Sequence, residues 1–298
     1  MQPDNETPST QAAKRKTQEK QQVNKLPKRM CLPVQSSQGF TWKKNSCPFD
    51  AVLTILRNSY VQDRTLWDAF IKIQNYHLAQ IDKCFRNTVC SVASWDSARY
   101  EIRQYLVEAG RGPHLSLTGY SSVQYIAELL CTTEGSSANV LKLCVICQTT
   151  SLVYTDGVEF VVAQPSTSDT FQVRWDEWFS TIYDQQCTTC QQIQSIQHIK
   201  LVYCPPGLIC FNIYQVPLSW TTEIQLVDSN GVFHLYSLSG IVYYNGSHFT
   251  CRIREVGGNI WYIDNLKFSQ QEQLPINFSC INSDPTMEPY SAFFIRQN

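Results

Sequence analysis

Nothing in this 298-residue chain reaches the roughly 18 consecutive apolar residues that a membrane-spanning helix needs. The first residues are polar and lack the apolar segment of a signal peptide, so the expectation is an intracellular protein of the cytoplasm or nucleus. Charge imbalance is also missing: 24 Lys and Arg against 25 Asp and Glu leave −1 at pH 7. So even a balance gives no reason to expect a membrane surface or a nucleic acid as partner. No internal repeat is present. Residues 1–37 contain no aromatic side chain and are rich in Gln, Lys, Pro, Ser and Thr. Such a stretch cannot bury enough apolar surface to pack, so a disordered basic tail is expected there. Within it, Lys14-Arg15-Lys16 and Lys28-Arg29 form two basic clusters. Their spacing is similar to a bipartite nuclear import signal, and equally compatible with a solvated tail that carries no address.

What is present is a core-forming composition, 43% apolar, with 13 cysteines. In an intracellular setting these thiols read as reduced, and pairs among them as metal ligands or buried groups before disulfides. The most informative stretch runs from Trp42 to Asp50. Cys47 precedes Pro48, a residue favoured at the first position of a helix, and Phe49, Val52, Leu53 and Leu56 then follow helical spacing. A cysteine at the positive end of a buried helix is placed to be a nucleophile; a buried thiol that merely packs is the alternative. Asp50 falls in the first turn, where an acid can reach back to uncapped amides.

From 39 to about 131 the pattern is helical, with a stripe at Trp95, Ala98, Ile102 and Leu106 and a further helix over 123–130. Beyond it come short β-rich runs over 140–147, 157–163, 199–203, 208–216, 224–227 and 232–238. They continue over 240–244, 248–254, 259–263 and 290–295, with one helix expected over 175–183. Helices first and antiparallel strands after them argue for an α+β fold. Cys144 and Cys147, with Cys187 and Cys190, form two Cys-x2-Cys units, enough thiolates to close a tetrahedral structural Zn2+ or to remain four reduced thiols at strand ends. His248 opens one strand and Asp264 ends the next, so the two can meet at one sheet edge, with Asn265 beside the acid. A thiol nucleophile needs such a base, and the base needs an acceptor to orient it.

Together these pieces resemble the ubiquitin-specific protease family over about residues 38–297. The family's Cys box, Gly-Leu-x-Asn-x-Gly-Asn-x-Cys-Tyr-x-Asn, is similar to Gly39-Phe40-Thr41-Trp42-Lys43-Lys44-Asn45-Ser46-Cys47-Pro48-Phe49-Asp50. Its paired Cys-x2-Cys units align with the four cysteines above, and its His box resembles Ser247-His248-Phe249 and Trp261-Tyr262-Ile263-Asp264-Asn265. Later strands are similar to Pro205–Phe211, Tyr236–Val242 and Tyr290–Ile295. The resemblance implies a papain-like fold with a helical thumb (about 39–135), zinc-bearing fingers (about 141–203) and a β palm (about 204–298). It implies Cys47 as nucleophile, His248 as base, and Asp264 or Asn265 as the orienting residue. It further implies a substrate in which ubiquitin or a ubiquitin-like modifier is joined to a protein lysine. Two departures stand out. The family's oxyanion asparagine is replaced by Trp42, which leaves Asn45 and the first helical amides as candidate donors. Trp42 and Asp50 resemble a divergent branch that includes a SUMO isopeptidase, so SUMO is a candidate modifier. A modifier-binding module without catalysis, and a cysteine protease acting on another protein, are the competing expectations.

Overall fold

The computed structural model describes residues 40, 43, 45–88, 92–110, 114–133, 138–154, 158–162, 170–193, 195–215, 221–255, 257–266, 272–274 and 286–298. The basic tail and Trp42 lie outside the described residues.

Helix α1, Cys47–Gln62, is the centre of the molecule. Every residue from Cys47 to Asn58 is buried. A helix buried on all sides must satisfy its polar members internally. Thr54 does so by donating to the Asp50 carbonyl at 2.6 Å, and Asn58 by donating to the Arg254 carbonyl at 3.0 Å. The chain then passes through α2 (Arg64–Leu66) and a π-helical turn, Trp67–Ile71, into α3 (Tyr76–Arg86). Asn75 caps α3 through its side chain, and α4 (Val92–Ala109) and α5 (Val123–Cys131) follow. Packing partners of α1 include α4 and α5 on the helical side.

On its other side α1 packs on β10 (Phe233–Tyr244) and β11 (Phe249–Arg254) of an eight-stranded sheet. The sheet order is β13-β12-β11-β10-β14-β8-β5, with β9 (Glu223–Val227) also paired to β10. The other members are β5 (Val161–Val162), β8 (Leu208–Asn212), β12 (Ile260–Ile263), β13 (Glu272–Leu274) and β14 (Glu288–Arg296). All its pairings are antiparallel except β5 with β8. A two-stranded ladder pairs β1 (Thr132–Thr133) with β4 (Val158–Glu159), and a further sheet of four antiparallel strands has the order β3-β2-β7-β6. It uses β2 (Ala138–Cys144), β3 (Thr150–Tyr154), β6 (Ser180–Tyr183) and β7 (Ile196–Val202). The α+β architecture expected from the order of elements is therefore present.

Three local expectations change. The helix expected over 175–183 is α6, Phe171–Phe179, capped by the Thr170 hydroxyl; Ser180–Tyr183 is strand β6. β-Prone Thr181, Ile182 and Tyr183 pair with β7, so tertiary pairing takes over where the helix ends. The separate runs over 232–238 and 240–244 are one twelve-residue strand, β10. Gly240 does not break it. A Cβ there would stand 2.6 Å from Ile55 Cγ1 and 2.8 Å from the Arg252 carbonyl oxygen, so this glycine is what lets α1 lie so close to the sheet. Finally, the strand expected over 140–147 stops at Cys144, because the chain turns there.

Candidate active site and metal centre

Cys47 is the first residue of α1 and is 8% exposed. Asn45, with φ 54°, turns the chain into the helix, a left-handed conformation that asparagine tolerates better than most residues. Its side-chain amide donates to the Thr118 carbonyl at 3.1 Å. The first turn of any helix leaves its amides without intrahelical partners, so donors gather around Cys47.

The candidate base, His248, is delivered by a turn. Asn245 Oδ1 accepts from the Ser247 and His248 amides at 3.1 and 2.8 Å, and Gly246 takes φ 92°, which sets His248 at the mouth of β11. Phe249, the next residue, is clamped between Tyr244 and Tyr290. Asp264 follows β12, the neighbour of β11, and its Oδ1 accepts from the Leu266 amide at 3.0 Å. His248 Nε2 and Asp264 Oδ1 are 2.9 Å apart, and the two side chains are only 13% and 7% exposed. The Cys47 thiol lies close enough to His248 to act on its ring electrostatically. Burial pushes the imidazole's pKa down, but the hydrogen bond to Asp264 and the negative charge of Asp264 and Cys47 outweigh it and raise it to about 9. The structure thus gathers Cys47, His248 and Asp264 in one place. Asn265 is 3% exposed, and among the described residues neither its amide oxygen nor its nitrogen has a hydrogen-bond partner. Asp264, not Asn265, is the residue bonded to His248.

A group that sequence reading missed lies directly behind the thiol. Ser46 and Asp50 are fully buried, and Ser46 Oγ donates to Asp50 Oδ2 at 2.5 Å. Arg99 Nη1 completes the pair at 3.0 Å from Asp50 Oδ1. Burial pushes Asp50 up to about 6, against the pull of the Arg99 guanidinium and of hydrogen bonds from Ser46 and Arg99. Asp50 therefore spends its side chain on Ser46 and Arg99 rather than on free helix amides. The only signal in the sequence was two arginines, Arg99 and Arg103, one turn apart beside the apolar stripe of α4.

At the tip of the four-stranded sheet, the sulfurs of Cys144, Cys147, Cys187 and Cys190 lie within 4.8 Å of one another. Two matching turns present them. Gln148 N–H donates to the Cys144 carbonyl and Gln191 N–H to the Cys187 carbonyl, each at 2.9 Å, and the two glutamines take φ 58° and 61°. Backbone amides of Cys190 and Thr189 hold the Cys187 thiol down at about 6. Sulfur separations of 3.6 Å (Cys144 to Cys190) and 3.7 Å (Cys147 to Cys187) match the ~3.8 Å of four thiolates around one tetrahedral ion with ~2.3 Å bonds. The cluster could hold a metal ion. Neither Cys204, which is exposed, nor Cys210, which is buried, belongs to it.

No family model matches the sequence, and no curated protein does. Solved structures do match. One is the SAGA DUB module Ubp8/Sgf11/Sus1/Sgf73 bound to ubiquitin aldehyde, at 12% identity and TM-score 0.55, covering 89% of this chain and 70% of that one. The fold is that of the ubiquitin-specific proteases. The same module bound to monoubiquitin aligns over the same shares at 12% identity and TM-score 0.54. The module without ubiquitin in its description gives 11% identity and TM-score 0.51, covering 89% of this chain and 68% of that one. The parts of this α+β fold are the α1–α5 region, the eight-stranded sheet and the four-stranded sheet with its cysteine tip.

Proposed function

We propose that this protein is a thiol isopeptidase that removes ubiquitin or a ubiquitin-like modifier from protein lysines. The observation that carries the reading is the bonded pair His248–Asp264 beside a thiol, Cys47, at the N-terminus of a buried helix. Cys47 gives its proton to His248 and attacks the carbonyl of the modifier's C-terminal residue. The developing oxyanion is met by donors near the start of α1, with Asn45 among the candidates. His248 then protonates the departing lysine amine, leaving a thioester on Cys47. Water, deprotonated by the same imidazole, hydrolyses the thioester and restores the thiol. Asp264 keeps the imidazole oriented and favours its charged form. In the fingers, the four cysteines hold Zn2+ as a closed structural site, far better suited to bracing two turns than to catalysis.

The experiment is labelling by probes that carry a C-terminal electrophile. Ubiquitin, SUMO and other modifier probes are compared on wild type and Cys47→Ala. One probe should label the wild type, and Cys47→Ala should show no labelling. Binding of a modifier without labelling would instead make the chain a modifier reader. Turnover of an unrelated protein, with no modifier recognised, would make it a protease of another specificity.

A further inference from the structure

The buried group behind Cys47 costs more than it gives if it is judged as stabilisation alone. Arg99 is 4% exposed, Arg103 is 5% exposed and Asp50 is fully buried. Replacing such a pair by apolar side chains is often neutral or stabilising, because taking two charges out of water consumes most of their attraction. What the pair does control is the backbone leading into the nucleophile. Ser46 Oγ, fixed by Asp50, accepts the Lys43 amide at 3.0 Å, and Arg99 Nη1 lies 3.4 Å from the same oxygen. Arg103, one helical turn further along α4, donates from Nη1 to the Lys43 carbonyl at 3.2 Å and from Nη2 to the Ser116 carbonyl at 3.0 Å. Its guanidinium also lies 5.3 Å from the centre of the Phe49 ring, inside the first turn of α1. The segment before Cys47 is therefore held at its Lys43 end by Arg103 and at its Ser46 end by Asp50 and Arg99. The Ser116–Thr118 stretch, tied to Arg103 and to Asn45, forms its far wall.

We propose that Arg99, Arg103 and Asp50 are positioning residues for acyl transfer, fixing the backbone at Lys43 and Ser46 so that donors at the start of α1 meet the oxyanion formed when Cys47 attacks a carbonyl. The physical reason for such a device is distance. Donors act on an oxyanion only within about 2.7–3.1 Å, and loss of one commonly costs about 10²–10³ in rate. A loop of this length leading into a helix has no ladder of its own to hold that tolerance, so rigid anchors on a packed helix supply it. The inference rests on the reading of Cys47 as an acyl-transfer nucleophile, but it does not depend on which modifier is cleaved.

The test separates two reactions of the same thiol. Alkylation of Cys47 by iodoacetamide forms no oxyanion, whereas acylation by p-nitrophenyl acetate forms one. Both are followed by mass spectrometry on the full chain for wild type, Asp50→Leu/Arg99→Met and Ser46→Ala. We expect alkylation within about twofold of wild type in both variants. Acylation should fall about 10–100-fold in the double variant and about tenfold in Ser46→Ala. Unchanged acylation, or acylation and alkylation falling together, would overturn the proposal and leave the pair a packing feature. Should the double variant not fold, Ser46→Ala, which removes one hydroxyl and no charge, decides by the same ratio. Failure of the broader reading looks different: wild type would acylate normally yet release no modifier from any conjugate.

Discussion

The two thiol sites of this protein are built on opposite plans. The four-cysteine tip is assembled from two short turns that repeat each other: each Cys-x2-Cys ends in a glutamine of positive φ whose amide returns to the first cysteine's carbonyl. The turn geometry is local, and only the pairing of β2 with β7 is needed to bring the turns together. The Cys47 site has no local unit of that kind. Its thiol comes from the start of α1, its histidine from the mouth of β11 and its carboxylate from the end of β12. A helix packed on a sheet, with Gly240 at the contact, sets their spacing. Symmetric local turns suit a structural ion, while a reacting thiol needs groups of different chemistry approaching from different sides.

That contrast can be broken from the metal side first. On the proposed zinc reading, a chelator should melt the four-stranded sheet, because structural zinc contributes on the order of 10 kcal/mol in small zinc-binding folds. Iodoacetamide should still alkylate Cys47 at close to its original rate. Metal content, circular dichroism and alkylation measured on one sample check this; parallel loss of all three would mean the two sites are not independent.

A smaller effect comes from pH. His248 titrates at about 9 in the folded chain against 6.5 for a free imidazole. A raised histidine pKa means that the folded state holds its proton more tightly. The associated stability is therefore fully present below about pH 6.5 and is lost as pH rises through 9. The loss should be roughly 3 kcal/mol. Denaturant titrations at pH 6 and pH 9.5 should show this slope in wild type and a much weaker one in His248→Ala. The lowered Cys187 thiol shifts stability in the opposite sense over this range, so it is the difference between wild type and His248→Ala that isolates His248.

Asp264→Ala should reduce kcat for modifier release about 10–100-fold with little change in KM, since the residue orients the base and does not meet the substrate. Steady-state kinetics check this. The same variant should also lower the pH at which His248 titrates, readable by NMR of the imidazole. Smallest of the four, Gly240→Ala should lower stability by about 1–3 kcal/mol, the usual cost of overpacking, because Ile55 and the Arg252 carbonyl leave no room for a methyl group. A thermal melt measures it, and an unchanged Tm would show that α1 can shift without penalty.

Much of this was written in the chain. Period and punctuation marked α1 after Cys47-Pro48, and the paired Cys-x2-Cys units marked four thiols that the fold gathers into a candidate metal site. Those signals are local, resting on residues a few positions apart. Less visible were α6, whose end is decided by β6 pairing with β7, and the continuity of β10 through Gly240. The group of Ser46, Asp50, Arg99 and Arg103 was invisible for the same reason. Asp50 read as an ordinary first-turn acid and the arginines as residues flanking a stripe, because nothing in α4 names the helix it will face. Residue types and local conformations were thus determined by the sequence itself. Which charge meets which, and how closely α1 approaches the sheet, was decided only when distant segments packed, because buried electrostatics and close contact depend on separations that no single stretch of chain contains.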